Sequence, residues 1–306
     1  MNKSPKNKTI DTGLEEGREY LERCLTADEI AGGASPENAI ICADMFDMCR
    51  YIPAGAADLM IVDPPYNLTK DYNGRSFQKK APDEYEEYTR RWLEASKHIL
   101  KDGGSVYVCC DWESSLIIGK MLGEYYTVRN RITWQREKGR GARANWKNSM
   151  EDIWFATNGD GYTFNIDDIK LRRKVLAPYT EEGEPKDWQE TEKGRFRDTH
   201  PSNFWDDITV PFWSMAENTA HPAKKPEKLM AKLILASSNE GDLVFDPFAG
   251  SGTSCVTAEK LGRRFVGIEK DERYCVWAQQ RLETARTDRS IQGYEDGVFW
   301  ERNAHR

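Results

Sequence analysis

The chain has 306 residues and a net charge of −7, and 39% of its residues are hydrophobic, which allows a sizeable buried core and excludes a disordered protein. No apolar run approaches the roughly 18 residues of a membrane span, and the first residues lack the apolar core of a signal peptide. We therefore expect a soluble, cytoplasmic protein without a membrane partner. The net charge on its own argues against a nucleic-acid partner.

Apolar runs alternate with helical patterns along most of the chain. This alternation predicts an α/β protein with a parallel, doubly wound sheet and helices on both faces. Gly103 and Gly104 are expected to end the helix before them, and Ser114 or Ser115 to cap the next helix. Predicted strands lie at 38–44, 57–63, 105–111, 127–134 and 151–158, predicted helices at 83–100, 114–125 and 225–238, and residues 241–283 follow the order strand, glycine loop, helix, strand, helix.

The regular pattern weakens in three segments. Residues 1–37 are polar, with one weak amphipathic helix, and residues 286–306 form a tail. Residues 158–218 mix charges of both signs with scattered prolines and tryptophans, which predicts an inserted, loop-rich region. The main domain is then expected to comprise 38–157 and 219–285.

The seven cysteines and four histidines point to neither a disulfide framework nor a metal site. The cysteines are odd in number, and no two of them have the C-x-x-C spacing. We expect reduced thiols, most of them packed in the core, and no metal.

The segment VFDPFAGSGT lies between a predicted strand and a predicted helix, which suits a loop that cradles a nucleotide-like ligand, although an ordinary turn is the alternative. Gly250 and Gly252 permit a tight turn, and Glu269, seventeen residues after Gly252, ends the next strand, where it can bind both hydroxyls of a ribose. The phosphate-loop lysine and the third glycine of a pyrophosphate fingerprint are absent. Asp246 precedes the loop, where it would repel phosphate and attract an ammonium group. These features favour S-adenosylmethionine over ATP, GTP or NAD as the cofactor.

The segment DLMIVDPPYN ends an apolar strand with rigid residues. An exocyclic amine of a base is a poor nucleophile because its lone pair is delocalised into the ring. Asp63 and the Pro64 carbonyl could accept its two N–H hydrogens, and the fixed backbone of Pro65 would hold that carbonyl in place. Tyr66 offers a face on which a flipped base can stack. The alternative is that the prolines only end an edge strand and that Tyr66 belongs to the core.

DPPY and DPFAGSGT resemble the catalytic and cofactor motifs of the amino-methylating DNA methyltransferases. The order DPPY, insertion, HPAKKP at 221–226 and glycine loop resembles the beta class, whose Rossmann-like methyltransferase sheet is circularly permuted. The resemblance covers residues 38–283 and implies a site-specific, S-adenosylmethionine-dependent enzyme that methylates double-stranded DNA, as in restriction–modification systems. It implies direct transfer of the methyl group, without a covalent enzyme intermediate. An Asp-led motif favours N6 of adenine, whereas a Ser-led motif favours N4 of cytosine.

Several other functions stay open at this point. N4 of cytosine is one. Methyltransferases that act on RNA or on protein glutamine are similar, but they typically carry Asn where this chain has Asp63. A nicotinamide-dependent oxidoreductase is disfavoured by Asp246 and by the lack of a candidate site for hydride transfer. A DNA-binding module without catalysis is disfavoured by the intact DPPY.

The resemblance also implies roles for individual residues. Asp44 would face the adenine region of the cofactor and Glu269 its ribose, with His221 and Lys225 near its carboxylate. A turn acid at a strand end is the alternative for Asp44, and a solvated charge at a helix start is the alternative for Lys225. The implied catalytic residues are Asp63, Pro64, Pro65 and Tyr66, and the implied cofactor-binding residues are Asp44, Met45, Asp63, His221, Lys225, Asp246, Pro247, Phe248, Ala249, Gly250, Ser251, Gly252, Thr253, Glu269 and Lys270.

DNA recognition is expected in the insertion and in the basic stretch before it. Residues 129–147 carry seven basic residues and one acid, a net charge of +6, with Trp134 and Trp146 among them, which is typical of loops that track phosphates and stack on bases. Members of the beta class often form homodimers, to which Leu14, Tyr20, Leu21 and Leu25 could contribute unless they pack on their own domain. The candidate DNA contacts, each with a solvated surface charge as its alternative, are Arg140, Arg143, Lys147, Arg172, Arg173 and Lys174.

Overall fold

The computed structural model describes residues 4–72, 75–140, 145–176, 179–182, 184–191 and 194–302. Its helices are α1 Arg18–Leu21, α2 Ala27–Ala31, α3 Met45–Met48, α4 Pro82–Ser96, α5 Trp112–Tyr125, α6 Glu227–Ser237, α7 Thr253–Lys260 and α8 Glu272–Thr287. Its strands are β1 Leu25–Thr26, β2 Ala39–Cys42, β3 Ala57–Val62, β4 Lys70–Tyr72, β5 Arg75–Phe77, β6 Leu100–Cys110, β7 Thr127–Arg140, β8 Asn148–Thr157, β9 Leu171–Lys174, β10 Thr180–Glu181, β11 Glu184–Pro185, β12 Gln189–Thr191, β13 Gly194–Thr199, β14 Phe204–Trp205, β15 Leu243–Asp246, β16 Arg264–Glu269, β17 Tyr294–Glu295 and β18 Val298–Trp300.

Nine strands form the main sheet, in the order β1-β2-β16-β15-β3-β6-β8-β7-β14. Neighbouring strands pair in parallel, except that β8 is antiparallel to both β6 and β7. The sheet is therefore mixed, and the predicted parallel pairing does not extend to β8. Only seven residues separate β7 from β8, which is too few for the crossover that a parallel pair needs, so the two strands form a hairpin.

Helices cover both faces of the main sheet, which confirms the predicted doubly wound α/β architecture. Along β3, Leu59 and Ile61 join the core formed with α6, α7 and α8. The alternate residues Met60 and Val62 join the core formed with α3, α4 and α5. Because both faces of the strand are buried, its sequence is a continuous apolar run rather than an alternating one.

Two local predictions were wrong. Helix α4 ends at Ser96, ahead of a 3₁₀ turn, so Gly103 and Gly104 do not stop it and lie inside β6. Gly103 has φ +75°, and a Cβ there would come within 2.6 Å of the Gly161 carbonyl oxygen, so the glycine permits a close backbone approach. Helix α5 is capped by Asp111, whose carboxylate accepts the backbone N–H of Ser114 at 3.1 Å, and not by a serine.

The N-terminal segment packs on the main sheet. Strand β1 pairs with β2 and supplies the edge of the sheet. Tyr20 and Leu21 pack against α8, and Leu25 packs on the core beneath the sheet, whereas Leu14 is 43% exposed. Three of the four apolar residues considered for a dimer contact therefore pack within their own chain. The predicted amphipathic helix is reduced to the single turn of α1.

The insertion and the C-terminal segment share a second sheet, in the order β12-β13-β9-β18-β17. In it, β9 of the insertion pairs in parallel with β18 of the C-terminal segment. Strand β14, also in the insertion, extends the main sheet through β7. The insertion is therefore held to the main sheet on one side and to the C-terminal segment on the other.

All seven cysteines are free thiols and six of them are buried, which confirms the prediction of reduced, packed thiols. Within the described ranges, no group of three or more His, Cys, Asp or Glu side chains is arranged to hold a metal ion. None of the helices traced in those ranges has the length and apolarity that crossing a bilayer requires.

Candidate active site

Four acidic residues lie at one edge of the main sheet. Strands β2, β16, β15 and β3 are consecutive and parallel, so their carboxyl ends meet at the same edge. Glu269 and Asp246 are the last residues of β16 and β15, Asp63 directly follows β3, and Asp44 lies two residues beyond β2. Ligands of open α/β sheets bind at this kind of edge. The topology alone thus places the candidate acids in a row.

A cleft opens along this row of acids. It is a concave site, partly open to solvent, of the kind that binds small ligands. Gly252 does not line the cleft, since its Cα faces Ala278 of α8. The residues predicted from the motifs that do line it are Asp44, Met45, Asp63, Pro64, Pro65, Tyr66, His221, Lys225, Asp246, Pro247, Phe248, Ala249, Gly250, Ser251, Thr253, Glu269 and Lys270.

The glycine loop between β15 and α7 needs its two glycines for different reasons. Gly250 has φ +53°, and a Cβ there would come within 3.3 Å of the His221 ring. Gly252 has φ +75°, and a Cβ there would come within 2.7 Å of the Ala278 Cβ. Backbone at these angles, with neighbours this close, is open to glycine and strained for other residues. The loop can therefore lie tightly between the cleft and α8.

Asp246 is a buried carboxylate and Glu269 a half-buried one, and both accept hydrogen bonds from the glycine loop and from neighbouring residues. Asp246 accepts the backbone N–H of Phe248 at 2.9 Å and the hydroxyl of Ser254. Glu269 accepts the backbone N–H of Gly250 at 2.9 Å and that of Asp271 at 2.7 Å. Burial raises the pKa of both carboxyls to about 7, despite these hydrogen bonds. Both carboxylates would be stabilised by a cationic or hydroxyl-bearing ligand.

Asp44 also has a structural role at the start of α3. Its carboxylate accepts the backbone N–H of Phe46 at 3.0 Å and so caps the helix. The alternative of a strand-end acid in a turn therefore describes part of what Asp44 does, while its side chain also lines the cleft. Lys270 approaches the Asp44 carboxylate at 3.7 Å.

His221 lies against the glycine loop as a neutral ring. Burial, together with the charges of Lys70 and Lys225, lowers the pKa of His221 to about 3. Its Nδ1 accepts the backbone N–H of Ala223 at 3.2 Å, and its ring packs edge-on against Tyr274. His221 is thus positioned beside the glycine loop.

The ammonium of Lys225 is bonded to the aspartate of DPPY. Its Nζ donates to Asp63 Oδ1 at 2.8 Å and to Oδ2 at 2.7 Å. Lys225 is 6% exposed, so it is not a solvated charge at a helix start. Although burial opposes it, the carboxylates of Asp63 and Glu151 raise the pKa of Lys225 above its usual range. The nearest anionic group to this lysine is the DPPY aspartate rather than a site beside the glycine loop.

Counting the bonds from described residues, Asp63 retains one open acceptor position. The Tyr66 hydroxyl donates to Oδ1 at 2.9 Å, and Lys225 occupies one position on each oxygen. A carboxylate offers about four acceptor positions, so one remains, on Oδ2. Burial and the neighbouring carboxylates raise the pKa of Tyr66, which keeps its phenol protonated as a donor.

The two proline carbonyls of DPPY differ in their hydrogen bonding. The Pro65 carbonyl accepts the Tyr85 hydroxyl at 3.0 Å, which fixes the loop from behind. Among the backbone hydrogen bonds of the described residues, none ends on the Pro64 carbonyl. Pro64 lines the cleft beside Asp63. An amine that entered there could therefore meet two acceptors on a rigid backbone.

Glu151, on β8, was not among the site residues predicted from the sequence. This buried carboxylate lies 3.2 Å from the Tyr66 hydroxyl, whose single proton it shares with Asp63. It accepts a hydrogen bond from Arg136 at 2.5 Å and lies 3.4 Å from the Lys225 ammonium. The sequence does contain one sign of this residue. Glu151 is an acid within a segment that is predicted to be a buried strand, where a charged side chain needs a partner.

Arg281, on α8, was also missed. It donates to the Ser251 carbonyl at 2.8 Å and to the Thr253 hydroxyl at 2.9 Å, which supports the glycine loop from below. Its other nitrogen pairs with Glu227 at 3.0 Å, at the start of α6. Arg281 is 4% exposed. The sequence pattern of α8 does not indicate that Arg281 supports the glycine loop.

The candidate DNA contacts are dispersed. Arg172 forms a two-pronged ion pair with Asp198, both bonds at 2.7 Å, and Arg173 lies 3.9 Å from Asp206. Lys147 and Lys174 are exposed. The side chain of Arg140 and the whole of Arg143 lie outside the described residues.

The two tryptophans of the basic stretch have opposite environments. Trp146 is 91% exposed and available to a base. Trp134 is 1% exposed, and its indole N–H donates to the Ile208 carbonyl at 3.2 Å. The interpretation of Trp134 as a base-stacking residue was wrong, because β7 directs it into the core.

The sequence matches one protein-family model and two named relatives over most of its length. A family model described as DNA methylase, labelled for N6 and N4 methyltransferases, matches residues 57–280. The chain is 32% identical over 253 residues to the type II methyltransferase M.HpaI of Haemophilus parainfluenzae, covering 81% of this chain and 75% of the relative. It is 32% identical over 254 residues to the DNA adenine methyltransferase YhdJ of Escherichia coli strain K12, covering 80% and 83%.

Solved structures share the fold at low sequence identity. The complex of M1.HpyAVI with SAM superposes with a TM-score of 0.53 at 22% identity, covering 79% of this chain and 98% of the other. The cytosine-N4-specific PvuII DNA methyltransferase gives 0.58 at 16% identity, covering 81% and 90%. The match of the family model, the two relatives and the site geometry agree, and the chain belongs to the DNA methylase family that groups the N6 and N4 methyltransferases.

Proposed function

We propose that this DNA methyltransferase transfers a methyl group from S-adenosylmethionine to the N6 amine of an adenine that is flipped out of duplex DNA. The observation that carries the proposal is the pair of open acceptors, Asp63 Oδ2 and the Pro64 carbonyl, in the same cleft as the glycine loop. The two N–H bonds of an exocyclic amine match two such acceptors.

The residues of the cleft fit the cofactor. Asp246, a buried carboxylate at the glycine loop, suits the cofactor's ammonium group, and Glu269 suits its ribose hydroxyls. Asp44, Met45 and Phe46 line the end of the cleft that suits its adenine. When bound, S-adenosylmethionine supplies a methyl group on a sulfonium, whose sulfur keeps the electron pair of the broken C–S bond.

Asp63 and Pro64 prepare the amine for transfer. By accepting both N–H hydrogens, they favour a tetrahedral nitrogen whose lone pair is directed away from the ring. That lone pair forms the new N–C bond, and the nitrogen then releases a proton to water. Both acceptors are fixed before the base arrives, Asp63 by Lys225 and Tyr66, and the Pro64 carbonyl by the proline that follows it. Little reorganisation is therefore needed during the reaction.

Tyr66 provides a surface for the flipped base. It lines the cleft and is only partly buried, and its hydroxyl is anchored on Asp63. Unstacking a base costs a few kcal/mol, and stacking on an aromatic ring returns about 1–3 kcal/mol. The phosphates of the duplex would be bound by exposed basic residues such as Lys147 and by the insertion at 158–218.

Adenine is favoured over cytosine by two observations. The tetrapeptide begins with Asp63, and one relative over most of the chain is described as a DNA adenine methyltransferase. N4 of cytosine is the alternative, because the family includes both kinds of enzyme.

The test is to identify modified bases in DNA from cells that express the chain or its Asp63→Ala variant, by long-read sequencing and nucleoside mass spectrometry. N6-methyladenine in one sequence context, present with the wild type and absent with the variant, is the expected result. N4-methylcytosine would establish the alternative. If both proteins are expressed and folded and neither base is modified, the proposal fails.

A further inference from the structure

Glu151 is a buried carboxylate to which the mechanism above gives no role. It is 7% exposed, and the two groups nearest to it in the cleft, Tyr66 and Lys225, are the same two that hold Asp63. The Tyr66 hydroxyl lies 2.9 Å from Asp63 and 3.2 Å from Glu151. Lys225 lies between the same two carboxylates. Glu151 is therefore a second carboxylate with the same partners, on a different strand.

The charges of the four groups that these ion pairs join, which form the cluster, balance; the Lys70 ammonium interacts with both carboxylates from outside this set. Asp63 and Glu151 are negative, Lys225 and Arg136 are positive, and the Tyr66 phenol is neutral. Although burial alone would raise it, the charges of Lys225 and Arg136 lower the pKa of Glu151, which keeps this carboxylate ionised. Without Glu151, two cations would face the single carboxylate of Asp63.

The net charge of this cluster affects the reaction because positive charge moves towards Asp63 during methyl transfer. Positive charge leaves the sulfonium and develops on the amine nitrogen, beside Asp63. A cluster with an excess of positive charge would oppose this change, and it would do so strongly in a site from which water is excluded. A neutral cluster leaves the negative field of Asp63 available to the amine.

On the basis of the proposed function, we propose that Glu151 is a positioning residue for methyl transfer. It offsets the charges of Lys225 and Arg136, and it shares with Asp63 the donors that fix the remaining acceptor on Oδ2. Glu151 acts through Asp63, Tyr66 and Lys225 and does not itself bind the base or the cofactor.

The test compares three variants under single-turnover conditions, with saturating S-adenosylmethionine and DNA. Glu151→Gln keeps the shape of the side chain and gives the cluster one excess positive charge. Glu151→Gln combined with Arg136→Gln restores neutrality. Asp152→Asn is the matched control, since Asp152 is the adjacent buried carboxylate on β8 and bonds to Thr133 rather than to Tyr66 or Lys225.

Glu151→Gln is expected to lower the rate of methyl transfer on the order of 10- to 100-fold at temperatures where the variant is folded, with cofactor affinity close to wild type. Its melting temperature is expected to fall, because two cations lose a buried partner. The double variant is expected to recover part of that loss, and Asp152→Asn to behave as wild type. A role limited to structural support would not produce recovery, because the second substitution removes a further ion pair.

Three outcomes would overturn the inference: a wild-type rate for Glu151→Gln, a double variant as slow as the single one or slower, or an equal loss for Asp152→Asn. If Glu151→Gln does not fold, the neutral double variant is compared directly with wild type, and a rate near background counts against the inference. If the wild type itself methylates no DNA, it is the proposed function that fails, not the role of Glu151.

Discussion

The carboxylate of Glu269 accepts the backbone N–H of Gly250 at 2.9 Å, which joins the end of one strand to the glycine loop that follows the neighbouring strand. This hydrogen bond links two parts of the candidate cofactor site, the acid at the end of β16 and the glycine loop after β15. It also makes the loop sensitive to the ionisation of Glu269, because protonation turns one acceptor position into a donor and weakens the hydrogen bonds that the carboxyl accepts.

Cofactor affinity is expected to depend on pH near neutrality. Burial raises the pKa of Glu269 and Asp246 to about 7, and ligand hydroxyl and ammonium groups bind the ionised forms. Since a falling pH protonates both carboxyls, the Kd for S-adenosylmethionine should rise as the pH falls from 8 to 6, by up to about tenfold per unit for each group. Isothermal titration calorimetry across this range measures the effect.

The variant Glu269→Gln separates the protein's contribution from the titration of the ligand's own amino group. Its affinity should be weaker than that of wild type at pH 8, and its pH profile should be less steep. Identical profiles for the two proteins would show that Glu269 does not titrate in the binding process.

Substitution of Asp207 is expected to destabilise the fold severely. Asp207 is 4% exposed, and its two oxygens lie 2.7 Å from the ammonium groups of Lys228 and Lys232, where it connects the insertion to α6. Asp207→Ala would leave two buried ammonium groups without a counter-ion, and removing one partner of a buried pair costs about 3–5 kcal/mol. Urea unfolding gives the free energy of unfolding.

Asp198→Ala is the control for this measurement. Asp198 forms an ion pair with Arg172 that water can reach, so its loss should cost about 1 kcal/mol or less. Comparable losses of unfolding free energy for the two variants would contradict the prediction that Asp207, with Lys228 and Lys232, holds the insertion on α6.

Gly252→Ala is expected to impair both stability and cofactor binding. The residue has φ +75°, and an added Cβ would come within 2.7 Å of the Ala278 Cβ, so the variant combines backbone strain with a clash against α8. Gly241→Ala provides the comparison, because Gly241 has φ +83° with open space around it. Strain alone costs on the order of 1 kcal/mol, so Gly241→Ala should lower stability by about that amount and leave cofactor affinity unchanged. A larger loss, with weaker binding, is expected for Gly252→Ala in thermal melts and titrations.

The position of the site could be predicted from the sequence, whereas its internal contacts could not. DPPY and the glycine loop each follow an apolar strand, and strands of a parallel sheet end at one edge, so Asp63 and Gly250 were expected in one cleft. The bond between Lys225 and Asp63 joins residues 162 positions apart and depends on how α6 begins, which no local pattern encodes. Trp134 was misassigned because composition drew attention to the basic stretch, while β7 directs this side chain into the core.

DNA binding should depend on Lys147 more than on Arg172. Lys147 is exposed beside Trp146, whereas Arg172 is already neutralised by a two-pronged ion pair with Asp198. Lys147→Ala should weaken binding to specific and non-specific duplexes alike and reduce the slope of log K against log salt by about 1, as expected for the loss of one phosphate contact. Arg172→Ala should leave the slope unchanged, because this arginine releases no counter-ion from DNA. Fluorescence anisotropy at several salt concentrations measures both, and a slope that falls for Arg172→Ala but not for Lys147→Ala would place the duplex on the insertion sheet instead.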